Sequence, residues 1–198
     1  LIGHAQTKGH GVGADNERGA EIADRNESTI RGALDGIPLS DTDAFLIVAA
    51  LGGGTGSGGA PVIARQLRDR FSEPVYGLGV LPASDESGIY VLNAARSFRT
   101  FVDQVDNLLV FDNDAWREPG TSIEGAYEAI NREIARRFGV LFSAGEIEPE
   151  SDVAESVIDS SEIINTLACG GVTSVGYATE TVTDRRRGLL DRFRSDGQ

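Results

Sequence analysis

The sequence predicts an α/β fold: a doubly wound, mostly parallel sheet, joined to a long central helix and the start of a second α+β domain. Three observations carry the prediction. Apolar segments of strand length alternate with helical segments along residues 45–111. The strand segments Phe45 to Leu51, Val75 to Leu81 and Leu108 to Phe111 are apolar without polar alternation, the pattern of parallel strands covered on both faces. A glycine-rich tract stands between the first strand and the next helix, at the sheet edge where open parallel sheets bind ligands.

The elements follow in order. Thr7 to Asn16 form a glycine loop through Gly9, Gly11, Gly13 and Ala14. A polar amphipathic stretch runs from Glu17 to Leu34, with Ala20, Ile22, Ala23, Ile30 and Leu34 as its apolar side. After the strand at 45–51, every position from Gly52 to Gly59 is Gly, Thr or Ser. Pro61 then opens a helix to Phe71, since a proline in a first turn lacks only an N–H that would have no partner. The strand at 75–81 ends at Pro82 and Asp85-Glu86, and a helix spans roughly Ile89 to Val105. The strand at 108–111 runs into Asp112-Asn113-Asp114. A long helix from about Ser122 to Ser143 buries Tyr127, Ile130, Ile134, Phe138, Leu141 and Phe142 at helical spacing. Residues 145–151 are a solvated break, and Asp159 precedes a short helix from Ser160 to Leu167. Gly170-Gly171 make a turn into a strand from Val172 to Ala178, and 184–198 are a charged tail.

Composition bounds the function. The 198 residues suffice for one sizeable core or one domain with part of another. There is no methionine, even at position 1, so the expectation is a fragment. No run of 18 apolar residues exists, hence no transmembrane segment is expected. A lone Cys169 excludes an internal disulfide framework and suits a reducing compartment. The net charge is −13, and Lys8 is the only lysine, which excludes nucleic-acid binding through a basic surface. An acidic, arginine-for-lysine surface also suits a salt-rich cytoplasm, where screening relieves self-repulsion. If so, folding should strengthen in molar KCl. His4 and His10 are too isolated to ligate a metal.

A glycine loop ahead of a helix presents bare N–H groups and the positive end of a helix dipole, which together cradle phosphate. The tract at 52–59 lacks the Gly-Lys-Ser/Thr of a Walker loop. It does contain a G-x-G-x-x-G at Gly54, Gly56 and Gly59, but neither Asp69 nor Asp85 is well placed as the dinucleotide fold's partner acid. The tract, the acids at 85–86 and Asn113 all fall at strand carboxyl ends and converge on one edge. Taken alone, several positions keep two readings. Asn113 suits a helix N-cap or the donor-acceptor edge of a base. Glu86 is an ordinary acid near a helix start or a ligand contact. Tyr127 and Asn131 share a helix face as a core pair or a stacking and hydrogen-bonding pair. Asp159 and Glu162 are first-turn capping carboxylates or catalytic acids. The loop at 9–13 is a plain turn or a second set of phosphate donors.

Gly-Gly-Gly-Thr-Gly-Ser-Gly at 52–58 is the signature of the tubulin/FtsZ superfamily of GTP-binding, polymer-forming proteins. The chain resembles that superfamily from about Leu1 to Tyr177, and most of all the archaeal CetZ group, which is implicated in cell shape. The resemblance implies GTP or GDP, with Mg²⁺, on the cradle of Gly53, Gly54, Thr55, Gly56 and Ser57. It implies a γ-phosphate-sensing loop carrying Gly9, Gly11, Gly13 and Ala14. It assigns Glu86 to the ribose, and Asn113, Tyr127 and Asn131 to guanine, the Tyr/Asn pair being tubulin-like. Asp159 and Glu162 match the acids of the catalytic loop, which enters the nucleotide pocket of the next subunit. Tyr90 and Val157 stand where FtsZ has Arg and Asn.

The implied domains are a partial GTP-binding domain at 1–121, a central helix at 122–144, and the catalytic loop with the start of a second domain at 145–183, followed by the tail. The implied activity is assembly-dependent GTP hydrolysis in the cytoplasm, in a head-to-tail protofilament of identical copies, with membrane-associated regulators as further partners. The family's opening strand is expected upstream. Two other readings stand beside it: a nucleotide-regulated scaffold without significant hydrolysis, and a nicotinamide-dependent oxidoreductase from the glycine fingerprint.

Overall fold

The computed structural model describes residues 2–116, 123–143 and 159–178. Its strands are β1 (Phe45–Ala50), β2 (Val75–Leu81), β3 (Asn107–Asp112) and β4 (Val172–Thr173), all parallel and in the order β1-β2-β3-β4. Helices α1 (His4–Thr7), α2 (Asn16–Arg25) and α3 (Glu27–Leu34) precede β1. Helix α4 (Gly54–Arg70) joins β1 to β2, and α5 (Gly88–Val102) joins β2 to β3. Helices α6 (Ile123–Ser143) and α7 (Ser160–Leu167) lie between β3 and β4.

Side-chain alternation along the strands feeds two cores, as a sheet with helices on both faces requires. Phe45, Ala49, Val75 and Leu108 face one way, onto Ala60, Ala64 and Leu67 of α4 and Ala94 and Phe101 of α5. Tyr76, Leu78, Leu109 and Phe111 face the other way, onto Ile130 and Phe138 of α6 and Leu167 of α7. The doubly wound parallel arrangement expected from the sequence is therefore present, and the central helix and short helix fall where the apolar spacing put them.

Four details differ from expectation. The stretch from Glu17 to Leu34 is two helices, broken at Asn26, whose φ of −104° and ψ of 22° leave the helical region. Its Nδ2 donates to the Ile22 carbonyl at 2.8 Å, a second bond to a late carbonyl of α2 that also accepts from the Asn26 N–H at 3.1 Å. Helix α4 begins at Gly54, seven residues before Pro61, so most of the glycine tract is helix rather than loop. The strand expected at 172–178 has only two paired residues, and the Val175 carbonyl accepts from the Arg137 guanidinium at 2.8 Å instead. Strand β1 is an edge among the described residues, with Leu46 and Val48 38% and 61% exposed, so one of its faces is uncovered despite its unbroken apolar sequence. The break at 145–151 and the tail at 184–198 lie outside the described residues.

Candidate functional site

The start of α4 shows why the tract needs so many glycines. A Cβ at Gly54 would lie 2.5 Å from Val12 Cγ2 and 2.6 Å from the Asp15 nitrogen. One at Gly58 would lie 2.2 Å from the Asn16 carbonyl oxygen, and one at Gly19, on α2, 2.1 Å from the Gly54 carbonyl oxygen. These glycines let α2 and α4 pack backbone to backbone. Gly53 differs: it caps α4 with an extended backbone, has no side-chain cap bond, and a Cβ there would meet nothing within 4 Å. The first N–H groups of a 17-residue helix thus begin at open space, as an anion site requires.

Ser57 is fully buried. Its hydroxyl donates to the Gly53 carbonyl and accepts from Asn16 Nδ2 at 3.0 Å, so its side chain supports the helix start rather than facing a ligand. Thr55 is exposed, and a Cβ on Gly11 would come 3.6 Å from its Oγ1. The loop of Gly9, Gly11, Gly13 and Ala14 therefore stands over the helix start. Gly9, Gly11 and Gly13 all have positive φ, as does Ala14 at 61°, a conformation uncommon for a residue with a side chain. Gly9, Gly11, Thr55 and Gly56 line a cavity of about 380 Å³.

A second cavity, of about 240 Å³, brings together Asp85, Glu86, Asn113 and Tyr127, with Ala83, Ala126 and Ile130 as its apolar part. Three residues chosen from separate elements of the sequence thus share one wall. Glu86 accepts from the Ala83 N–H at 2.8 Å, which fixes the carboxylate at the cavity. Asn113 is 8% exposed and its buried Oδ1 has no partner among the described residues, an acceptor whose desolvation they leave uncompensated. Tyr127 is 46% exposed, so it is not the core tyrosine that its helical spacing suggested. Asn131 is exposed and does not line this cavity, so the structure does not bring it to the others.

Asp159 caps α7, accepting from the Ser161 N–H at 2.6 Å and the Glu162 N–H at 3.2 Å. Hydrogen bonds from the Ser161 hydroxyl and from these two N–H groups hold its carboxyl below the ordinary carboxylate range, so it stays ionised. Neighbouring Ser160 lines a cavity with Asp43, Ala44 and Tyr76, at the amino ends of β1 and β2. Gly53, Glu86 and Asn113 follow the carboxyl ends of β1, β2 and β3. Strands of six or seven residues separate the two edges by about 20 Å. The acids and the glycine loops therefore do not meet within one chain.

Asn93 was not foreseen. It lies on α5, 1% exposed, and its Nδ2 donates to the Ala14 carbonyl at 2.7 Å and the Gly52 carbonyl at 3.0 Å. The available signal was an amide among Tyr90, Ala94, Ser97 and Phe101, on the helix face that packs inward.

A parallel sheet between two helical layers, with glycine loops and an open helix start at its carboxyl edge, is the architecture of a phosphate-binding α/β protein. The chain belongs to the tubulin/FtsZ family: residues 1–119 match the tubulin/FtsZ family GTPase domain, and residues 120–198 match the C-terminal domain of tubulin-like CetZ. It is 65% identical over 196 residues to tubulin-like protein CetZ1 of Haloferax volcanii, covering 98% of this chain and 50% of that protein. The chain thus spans about half the length of the curated relatives it matches. Among solved structures it resembles GDP-bound monomeric CetZ1 of Haloferax volcanii, with a TM-score of 0.82 at 60% identity, over 98% of this chain and 55% of that one. It also resembles CetZ2 of the same organism in a GTPγS-bound protofilament, with a TM-score of 0.85 at 42% identity, over 98% and 56%. Among the described residues no helix is long and apolar enough to cross a membrane.

Proposed function

We propose that this chain supplies much of the nucleotide site, and the catalytic acids, of a GTP-binding protein that polymerises head to tail and controls cell shape. Hydrolysis is completed where Asp159 and Glu162 of one copy meet the glycine loops of the next. The observation that carries this reading is the placement of acids and loops at opposite edges of one sheet. Copies stacked along the strand direction bring one edge against the other. The GTPγS-bound protofilament of CetZ2 supports it.

Guanine is favoured by the unpartnered Oδ1 of Asn113, which can accept from the ring N–H and amino group of that base. Tyr127 offers a ring beside it. The N–H groups at Gly53, Gly54 and Thr55 and the loop at 9–14 hold phosphates by charge-assisted hydrogen bonds of about 1.5–3 kcal/mol each. Mg²⁺ arrives with the triphosphate and offsets part of its charge. Among the described residues no cluster of three His, Cys, Asp or Glu side chains would hold the ion independently. Ionised carboxylates at the interface orient water, and phosphoryl transfer asks for little beyond positioning and charge stabilisation.

The test uses the full-length gene product in high potassium. Asn113→Ala impairs the nucleotide site, and the double variant Asp159→Ala/Glu162→Ala lowers turnover by about 10²–10⁴ while leaving GTP affinity intact. Mixing the two should restore activity, because an acid-bearing copy can abut a nucleotide-bearing one. A mixture no more active than the sum of its parts would refute a shared site.

A further inference from the structure

We infer that Asn93 is a positioning residue that locks the loop at 9–14 and the start of α4 into one phosphate-reading unit, and so sets the preference for a nucleoside triphosphate over a diphosphate. The inference rests on the nucleotide reading above and adds to it a residue with no direct ligand contact.

Asn93 holds two carbonyls from segments far apart in the sequence. One belongs to Ala14, at the end of the loop above Thr55, and the other to Gly52, one residue before the helix cap. Ala14 is strained, with φ at 61°. Such a conformation is unfavourable for a residue with a side chain and persists only where its surroundings enforce it. The Asn93 amide supplies that enforcement at the strained residue itself. Its second bond acts on the other side of the site. A peptide unit is planar and trans, so its C=O and N–H point in opposite directions. A Gly52 carbonyl fixed on Asn93 therefore turns the Gly53 N–H away from α5.

The geometry is built, not incidental. Asn93 is 1% exposed, and both its bonds run to backbone atoms of segments distant in sequence. Its Oδ1 is buried without a partner, a cost that packing alone would avoid with an apolar residue. Helix α5 follows directly on the Ala83–Glu86 turn, whose acid lines the second cavity. One side chain thus ties the loop at 9–14 and the α4 start to the helix that emerges from the third segment of the site. A diphosphate on the α4 start needs only one of these segments. A third phosphate that bridges to the loop needs their relative position held.

The experiment measures GTP and GDP affinity of the full-length protein, wild type against Asn93→Ala and Asn93→Asp, with Ser97→Ala as a control. Ser97 is fully buried on the same helix and its hydroxyl has no partner, so its loss tests burial without the latch. Losing both bonds should weaken GTP about tenfold and GDP by less than about threefold, with Ser97→Ala leaving both unchanged. Asn93→Asp keeps the shape but sets oxygens against the two carbonyls, and it should act in the same direction if Asn93→Ala does not fold. Hydrogen exchange at residues 9–15 without nucleotide should rise in the Asn93 variants alone. Equal loss of GTP and GDP affinity, or no loss, would overturn the inference while the nucleotide reading stands. Failure of the wild type to bind guanine nucleotide would overturn both.

Discussion

Helices α4 and α7 begin at the positions proposed to bind phosphate and to supply the acids, and the chain treats their first turns in opposite ways. Helix α4 starts on Gly53 with no side-chain cap, and Thr55 and Gly56 of its first turn line a cavity. Helix α7 starts on Asp159, whose carboxylate takes two of its first N–H groups. An uncapped start leaves donors for an external anion, whereas a capped start spends them internally and presents a fixed negative charge. On the function proposed above, one helix receives phosphate and the other presents a carboxylate.

Their stabilities come from different sources as well. Four glycines at 54, 56, 58 and 59 cost α4 about 1 kcal/mol each against alanine. Pro61 removes the N–H that would bond the Ser57 carbonyl. Backbone-close packing against α2 offsets these costs. Helix α7 is mostly exposed, anchored by Leu167 in the core, by Asp159 at its start and by Asn107 at its end. Asn107 is 2% exposed and donates to the Leu167 carbonyl at 3.1 Å and the Gly170 carbonyl at 3.2 Å. It mirrors Asn93: each buried amide gathers two carbonyls, one pair at the nucleotide edge and one at the far edge.

Three experiments test that contrast. The largest effect should come from Gly58→Val, which sets side-chain atoms against the Asn16 backbone and the α2 turn. Neither neighbour is a flexible side chain, so the protein should lose more than about 3 kcal/mol in urea unfolding. A loss under about 1 kcal/mol would show that α4 is not held by close packing. Next, Asn107→Ala should cost about 1 kcal/mol, because the Gly170 carbonyl loses its side-chain donor while the Leu167 carbonyl keeps the Gly170 N–H. It should speed hydrogen exchange in α7 and lower turnover, yet leave GTP affinity unchanged. Loss of affinity would mean that the two edges are not independent.

The smallest effect is on pH. The folded carboxyl of Asp159 titrates below its unfolded value, so the stability it adds is present above about pH 4 and is lost as pH falls through the folded value. Amides of α7 should therefore lose protection in acid before those of α4. Asp159→Asn keeps a good N-cap but removes the titration, so α7 should then be insensitive to acid. Persistence of the acid effect in that variant would assign it to another group.

Much of this was legible in the sequence because it depends on local pattern. Unbroken apolar runs gave β2 and β3, helical spacing gave α6, and the Asp-Ser-Ser-Glu start gave α7 and its cap. The convergence of Glu86 and Asn113 followed from a rule of parallel sheets: each follows a strand end. The start of α4 was not legible, because propensity assigns Gly and Pro to a loop and only contact with α2 makes helix the better state. The place of the Ser57 side chain was not legible for the same reason. A serine in a glycine tract gives no sign that Asn16 and the Gly53 carbonyl will enclose it.

Local pattern alone set the α/β order, the glycine signature and the acids on the short helix, since strand and helix periodicity and turn chemistry act within a few residues. Only contacts between distant segments set which glycines of the tract at 52–59 serve packing and that Gly53 among them faces open space. Tertiary structure alone set Asn93 between two loops and the acids at the edge opposite the cradle. Those relations depend on distances between segments far apart in the chain, and no local pattern encodes them.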